Sequence, residues 1–244
     1  MNTALIFAGG VGRRMHSKEK PKQFLELYNK PVIIHTLEHF EKHPLIDNIV
    51  VVCVEGWIEY LEALLEKYNI KKVSRIVPGG ITGQMSIYNG LCVAEEISDN
   101  QDDIVLIHDG VRPIINEKLI TDNIESVKKN GSAITTAVVK ETVLVVNENS
   151  STIDYVTERK NSRIAKAPQS FYLKDILSAH RKCLADGEND CIDSCTMMQK
   201  YGFPLHLIDG PDDNIKITTP EDFYMIRALM DAKENAQIYE YGED

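Results

Sequence analysis

No stretch of this chain approaches the roughly 20 consecutive apolar residues that a membrane-spanning helix needs, so no membrane partner is expected. The opening MNTALIFAGG has no basic segment ahead of its short apolar run, which argues against a secretory signal and for a cytoplasmic protein. CxxC pairs are absent, and the five cysteines (Cys53, Cys92, Cys183, Cys191 and Cys195) are odd in number. Cys191 and Cys195 have the spacing to share a helix face, but no histidine cluster accompanies them, so reduced thiols are expected rather than a zinc site or a disulfide framework. Positive charge is also scarce: Lys plus Arg is 27 against 37 Asp plus Glu, a net charge of −10. That balance excludes a nucleic-acid wrapper, which needs a basic surface. No heptad or collagen period is present, and no internal repeat or linker.

What is present is a globular composition, 43% hydrophobic over 244 residues, enough for a sizeable core. Apolar strand-like runs alternate with helical patterns. The spacing predicts strands over 3–7, 49–54, 73–77, 104–107, 133–138 and 205–208. It predicts helices over 31–40, 57–68, 86–97, 117–129, 175–186, 192–201 and from Pro220 onward, the last opened by proline and acids. This order implies an α/β protein with a mainly parallel sheet and helices on both faces. From about 140 to 166 the rhythm breaks into two short strands around a Glu148–Ser151 turn, which reads as a protruding β-arm. An isolated hairpin is marginal, so the arm needs a partner surface, either a second subunit or its own domain. One domain over 1–232 with a polar tail over 233–244 is expected.

The acidic total hides an uneven distribution. AGGVGRRM follows the first strand, and Arg13, Arg14, Lys18, Lys20 and Lys22 crowd the start of the chain. The glycines lack the third position of a dinucleotide fingerprint and the GK[ST] end of a P-loop. A glycine-rich loop still lets backbone N–H groups approach phosphate oxygens, and the cations reinforce that reading. Asp109 ends the run IVLIHD, at the strand end where α/β proteins bind ligands.

Four stretches together resemble the sugar-phosphate and polyol-phosphate cytidylyltransferases of the nucleotidyltransferase superfamily: AGGVGRRM with PKQF, HDGVRP, ERKNSRIAKAPQSF and DNIKITTPED. They span residues 8–222. The resemblance implies a Rossmann-like three-layer α/β/α fold and the transfer of CMP from CTP to a phosphorylated polyol, releasing pyrophosphate. D-ribitol 5-phosphate is the expected acceptor, with 2-C-methyl-D-erythritol 4-phosphate as the alternative and a catalytically silent nucleotide-binding module as a third reading.

What the resemblance implies for individual residues is specific. Arg14, Lys22 and Lys216 are the expected catalytic cations. Ala8, Gly9, Gly10 and Gly12 of the first loop, together with Gly80 and Ser86, are expected to hold CTP; Ser86 is equally readable as a helix cap. Asp109 is expected to bind Mg²⁺, with Asp213 as a second metal carboxylate. Arg112, Thr142, Arg159 and Asp193 are expected on the substrate side, with Arg112 ordering its loop through a carboxylate and Arg163 as a further anion contact. Arg159 is expected to reach in from a neighbouring subunit, which makes the working unit a homodimer joined by the arm. Functional partnership with a ribulose-5-phosphate reductase and a place in teichoic-acid or capsule synthesis follow from the same resemblance. Three departures favour ribitol over methylerythritol: FAGG, HDGVRP in place of HDAARP, and Ala167 where a threonine is usual. The segment ITGQMS lacks the charged residues usual there, so CTP contacts in that loop are expected to differ.

Overall fold

A computed structural model describes residues 1–10, 20–98, 100, 102–149 and 151–236. In chain order the elements are β1 (Asn2–Ala8), the short strands β2 (Glu26–Leu27) and β3 (Lys30–Pro31), α1 (Val32–Lys42), β4 (Asn48–Cys53), α2 (Ile58–Lys67), β5 (Val73–Pro78) and α3 (Gly83–Glu96). They continue with β6 (Ile104–Asp109), α4 (Glu117–Asn130), β7 (Ser132–Val138), β8 (Leu144–Val146), β9 (Ile153–Val156), β10 (Arg163–Tyr172), α5 (Leu173–Ala185), α6 (Ser194–Lys200), β11 (Leu207–Asp209) and α7 (Pro220–Ala236).

Seven strands form the central sheet in the order β11-β7-β10-β6-β1-β4-β5. Every neighbouring pair is parallel except those of β10, which runs antiparallel to both β6 and β7. Side chains alternate across this sheet, as the two-residue period of a strand requires. Ala4, Ile6, Ile49, Val51 and Leu106 face one layer, packed with Phe40 and Leu37 of α1, Leu61 of α2 and Ile124 of α4. Leu5, Val52, Val105 and Ile107 face the other, with Leu91 of α3, Ile176 of α5 and Met197 of α6. Both faces are covered, which is why β4 can read NIVVVC with Ile49 through Cys53 fully buried. Each such aliphatic side chain contributes about 1.5–3 kcal/mol on leaving water. The expected three-layer α/β/α architecture is therefore the one the chain adopts. No helix among the described residues is long and apolar enough to cross a membrane.

Several expected boundaries move. The third helix begins at Gly83 rather than Ser86, because Thr82 is its cap: the Thr82 hydroxyl accepts from the Met85 N–H at 3.1 Å. Asp193 caps α6 instead of sitting within its first turn, accepting from the Thr196 N–H at 2.9 Å. The last helix runs to Ala236, four residues past the expected end of the domain. The expected arm boundary at 166 is crossed by the ten-residue β10, which leaves the arm and enters the sheet between β6 and β7. Its polar start and Pro168 obscure a strand in the sequence; the pairing register shifts between Ala165 and Gln169, around that proline.

The arm itself is an antiparallel hairpin of β8 and β9. It is not covered by its own domain: Leu144, Val146, Ile153, Tyr155 and Val156 are all 46–57% exposed.

Candidate active site

Parallel pairing of β1 with β6 sets Phe7 beside Asp109, so the AGG loop and the HDG loop leave the sheet side by side. The Gly110 N–H donates to the Phe7 carbonyl at 2.9 Å and ties the two loops together. Gln23 of PKQF is buried and donates to the Ala8 carbonyl at 2.7 Å. Phe24 anchors the same segment by stacking on Trp57 at 5.1 Å. With its neighbours fixed, Lys22 reaches across the chain, and its Nζ donates to the Ile217 carbonyl at 2.8 Å. Ile217 in turn donates its N–H to the Val111 carbonyl at 3.0 Å. Val111, Ile217, Leu27, Val32, Ile114 and Ile226 form a small apolar cluster beneath these loops. Three stretches far apart in sequence are thus one structural unit.

Asp109 is the electrostatic centre of that unit. One carboxylate oxygen accepts from Arg112 Nε at 2.7 Å, and the other meets Lys216 Nζ at 2.6 Å. Burial alone would raise the Asp109 carboxyl, but the charges and hydrogen bonds of Lys216 and Arg112 outweigh it and hold the group well below the usual carboxylate range. Arg112 also donates to the Asn214 carbonyl at 2.9 Å, so the same guanidinium links the Asp109 carboxylate to the DNIK stretch. Asn214, fully buried, donates its amide to the Ala167 carbonyl at 2.5 Å and thereby joins the KAPQSF stretch of β10 to the rest. His108 is buried beside them with Nε2 at 3.2 Å from the Arg112 carbonyl, and burial lowers its pKa to about 4.

Asp109, Arg112 and Lys216 line a cavity of about 230 Å³. Asp193, Gln169, Gln84 and His180 also line it. The Asp193 carboxylate accepts from Gln169 Nε2 at 3.2 Å as well as from its capped helix. Burial pushes the Asp193 carboxyl up, but hydrogen bonds from Thr196, Gln169 and Cys195 bring it below its ordinary value. Lys166 lines the cavity too; burial and then Arg112 lower its pKa, and its Nζ donates to the Asp212 carbonyl at 2.8 Å.

On the side of the expected CTP loop, Gly9 lies against Gly79, and a Cβ on Gly9 would come within 3.3 Å of both Gly79 Cα and the Ser86 hydroxyl. Gly80 is tighter still: a Cβ there would sit 2.6 Å from that of Met85. Ser86 is not a cap. Its buried hydroxyl accepts from the Gly80 N–H at 2.9 Å and donates to the Thr82 carbonyl at 2.8 Å, which shapes the loop. Gly10 is exposed at the loop mouth. Arg14 and Gly12, with Arg13 and Lys18, lie outside the described residues.

Thr142 and Arg159 meet each other at 3.2 Å at the base of the arm. They line a separate open groove with Arg163, Lys160 and Val156, away from the residues that surround Asp109. Within one chain, therefore, Arg159 is not brought to the Asp109 cavity. Asp213 is likewise held elsewhere, its Oδ2 paired with Lys233 at 2.5 Å. Its Oδ1 is buried with no hydrogen-bond partner among the described residues. An ionised Asp109 and an unsatisfied carboxylate oxygen are hard donors, the kind that suit Mg²⁺.

Four buried residues escaped the sequence reading: Gln23, Gln169, Asn214 and His180. Gln23, Gln169 and Asn214 lie inside the recognised stretches, and their signal was an uncharged amide in otherwise functional motifs. His180 carries no signal; it sits on an amphipathic helix, where a satisfied core histidine is the ordinary reading.

A mainly parallel three-layer fold, a glycine loop after its first strand and a charged cluster at the strand ends define a nucleotidyltransferase. The family model described as IspD, 2-C-methyl-D-erythritol 4-phosphate cytidylyltransferase, matches residues 2–232, and the chain belongs to this family. It is 57% identical over 239 residues to a ribitol-5-phosphate cytidylyltransferase of Vibrio parahaemolyticus, covering 98% of this chain and 100% of that one. It is 38% identical over 230 residues to a 2-C-methyl-D-erythritol 4-phosphate cytidylyltransferase of Clostridium botulinum, covering 94% and 97%. Among solved structures, the 4-diphosphocytidyl-2C-methyl-D-erythritol synthase of Anaerococcus prevotii superposes with a TM-score of 0.80 at 28% identity, covering 94% of this chain and 96% of that one.

Proposed function

We propose that this protein transfers CMP from CTP to D-ribitol 5-phosphate, forming CDP-ribitol and pyrophosphate. The convergence of Lys22, Asp109, Arg112 and Lys216 on one set of strand ends carries the nucleotidyl-transfer reading. The much higher identity to the ribitol-5-phosphate enzyme than to the methylerythritol enzyme favours ribitol as acceptor. A phosphate oxygen of the polyol phosphate forms the new bond to the α-phosphorus of CTP. The bond from that phosphorus to the bridging oxygen breaks, and its electron pair leaves with pyrophosphate.

Negative charge grows on the non-bridging α-oxygens and on the leaving group, so fixed cations lower the barrier. Lys216, oriented by Asp109, and Lys22, held by the Ile217 carbonyl, are assigned to the reacting phosphate, with Arg14 and the backbone of the AGGVG loop on the triphosphate. Gly80 and Ser86 are assigned to the cytidine, where close backbone approach and a shaped loop suit a base edge. Asp193 is assigned to polyol hydroxyls across the cavity. Asp109 would hold Mg²⁺, and Asp213 would join it only on leaving Lys233; the ion would supply neutralisation of the charge on the CTP phosphates.

The exposed apolar hairpin supports a homodimer, because a second copy of this chain would cover side chains that its own domain leaves in water. In that assembly Arg159 and Thr142 are assigned to the phosphate of the polyol substrate in the neighbouring subunit. Five unpaired cysteines suit a cytoplasmic setting. A reductase that makes ribitol 5-phosphate would be its functional partner, and teichoic-acid or capsule synthesis would use its product. Phosphorus NMR of a mixture of CTP, Mg²⁺ and D-ribitol 5-phosphate tests the proposal: a CDP-ribitol diphosphate signal is expected, and unchanged CTP with every polyol phosphate would instead support a silent nucleotide-binding module.

A further inference from the structure

We propose that Cys183, Cys191 and Glu188 form a binding site for one soft divalent cation of the zinc class, at the rim of the substrate cavity and separate from the catalytic carboxylates. Spacing in the sequence pointed to Cys191 with Cys195. The fold instead pairs Cys191 with Cys183, their sulfurs 3.4 Å apart. Both sulfurs and a Glu188 carboxylate oxygen lie within 4.8 Å of one another.

The site is built by the turn that ends α5. The Glu188 N–H donates to the Cys183 carbonyl at 3.0 Å and folds the following loop back over the helix. Gln84 of α3, which is buried, fixes that loop. Its Oε1 accepts from the Cys191 N–H at 2.7 Å, and its Nε2 donates to Cys183 Sγ at 3.3 Å. An amide that orients one sulfur directly and the other through its backbone is the outer-shell support that metal thiolates ordinarily have. Lys200 pairs with the Glu188 carboxylate and offsets the negative charge of two thiolates and a carboxylate.

Distances favour a cation over a disulfide. Metal–sulfur bonds of about 2.3 Å at a tetrahedral angle put two sulfurs about 3.8 Å apart. The pair needs to open by a few tenths of an ångström to reach that. A disulfide would need it to close to about 2.05 Å. Thiolate ligands select zinc-class ions, so the Mg²⁺ expected with CTP does not compete. Binding forms two metal–sulfur bonds and one bond to a Glu188 carboxylate oxygen, and releases the two thiol protons to solvent. Cys191 lines the cavity, which provides the entry path, and Asp193 is two residues further along the same loop. Occupancy would therefore hold the 188–193 segment, and with it Asp193, in one position.

Cadmium titration of the full chain, in Mg²⁺ buffer with a phosphine reductant, tests this without reference to activity. One equivalent of a thiolate-to-cadmium charge-transfer band is expected. Cys191→Ser should abolish it, while Cys92→Ser, a change on α3 outside the cluster, should leave it intact. Gln84→Leu should weaken binding by roughly 10–100-fold while retaining the band. Glu188→Gln, an exposed change, should weaken binding without altering the fold, which keeps the test decisive if the cysteine variant misfolds. No band in the wild-type chain, or a band of equal affinity in Cys191→Ser or Glu188→Gln, would overturn the proposal.

Discussion

Asparagine at Asp109 keeps the shape of the side chain and removes the charge on which Arg112 and Lys216 converge. The carboxylate makes hydrogen bonds of 2.7 and 2.6 Å and is only 14% exposed. Hydrogen bonds to charged groups contribute about 1.5–3 kcal/mol each. Asparagine retains one oxygen, so one contact becomes neutral-to-charged, and the other is replaced by an N–H₂ group facing a cation. Lys216 is 39% exposed and can turn toward water, which moderates its loss; Arg112 is 12% exposed and cannot. The expected destabilisation is about 2–4 kcal/mol, or roughly 5–15 °C in Tm for a chain of this size. Because Lys216 loses the anchor that aims it, kcat/KM should fall by about 100-fold or more. The pH dependence gives an independent reading. A folded-state pKa held below the unfolded value stabilises fully above the unfolded carboxylate range, about pH 4, and that stability is lost as pH falls below it. The difference between wild type and Asp109→Asn should therefore shrink below about pH 4 in acid-denaturation curves. Thermal unfolding with steady-state pyrophosphate release checks the rest, and a variant with unchanged Tm and near-normal kcat/KM would refute the network as both scaffold and catalytic support.

Lys22→Ala should lower kcat/KM by about 100-fold, since it removes a fixed cation, and should also lower stability by about 1 kcal/mol because the Ile217 carbonyl loses that donor; an unchanged rate would remove Lys22 from the mechanism. Asn214→Ala leaves the Ala167 carbonyl without its partner and should cost about 1–3 kcal/mol by denaturant unfolding. His180 is buried, with neither ring nitrogen partnered among the described residues, and burial lowers its pKa to about 4. Its unfolded form takes up a proton first, so stability should decline as pH falls from about 6.5 toward 4, and His180→Leu should flatten that slope in pH-dependent unfolding curves. Replacing Ile153 and Tyr155 on the arm with aspartate should give a monomeric mass by light scattering and loss of polyol-phosphate turnover; a wild-type chain that is monomeric at micromolar concentration would defeat the cross-subunit role of Arg159.

Most of the fold was legible because its parallel strands are buried on both faces. Runs such as NIVVVC and IVLIHD can hardly be read otherwise, and α1 shows its buried stripe through Val32, Ile33, Leu37 and Phe40. β10 was not legible, because half of it pairs at the polar edge near the arm and a proline divides it. At the site, the charged residues were visible one at a time, as members of motifs. Their roles toward one another were not: that Lys216 and Arg112 share Asp109, or that Lys22 is held by the Ile217 carbonyl, follows from loop packing between distant segments. The Cys183–Cys191 pair was hidden for a similar reason, since it depends on a turn folded back over a helix end rather than on helical spacing.

The central claim is the choice of acceptor. Pyrophosphate release with CTP and Mg²⁺, measured in parallel for D-ribitol 5-phosphate and 2-C-methyl-D-erythritol 4-phosphate, decides it most directly. Efficient turnover of ribitol 5-phosphate, with a kcat/KM well above that for the methylerythritol compound, is the expected result. Turnover of 2-C-methyl-D-erythritol 4-phosphate with none of ribitol 5-phosphate would contradict it.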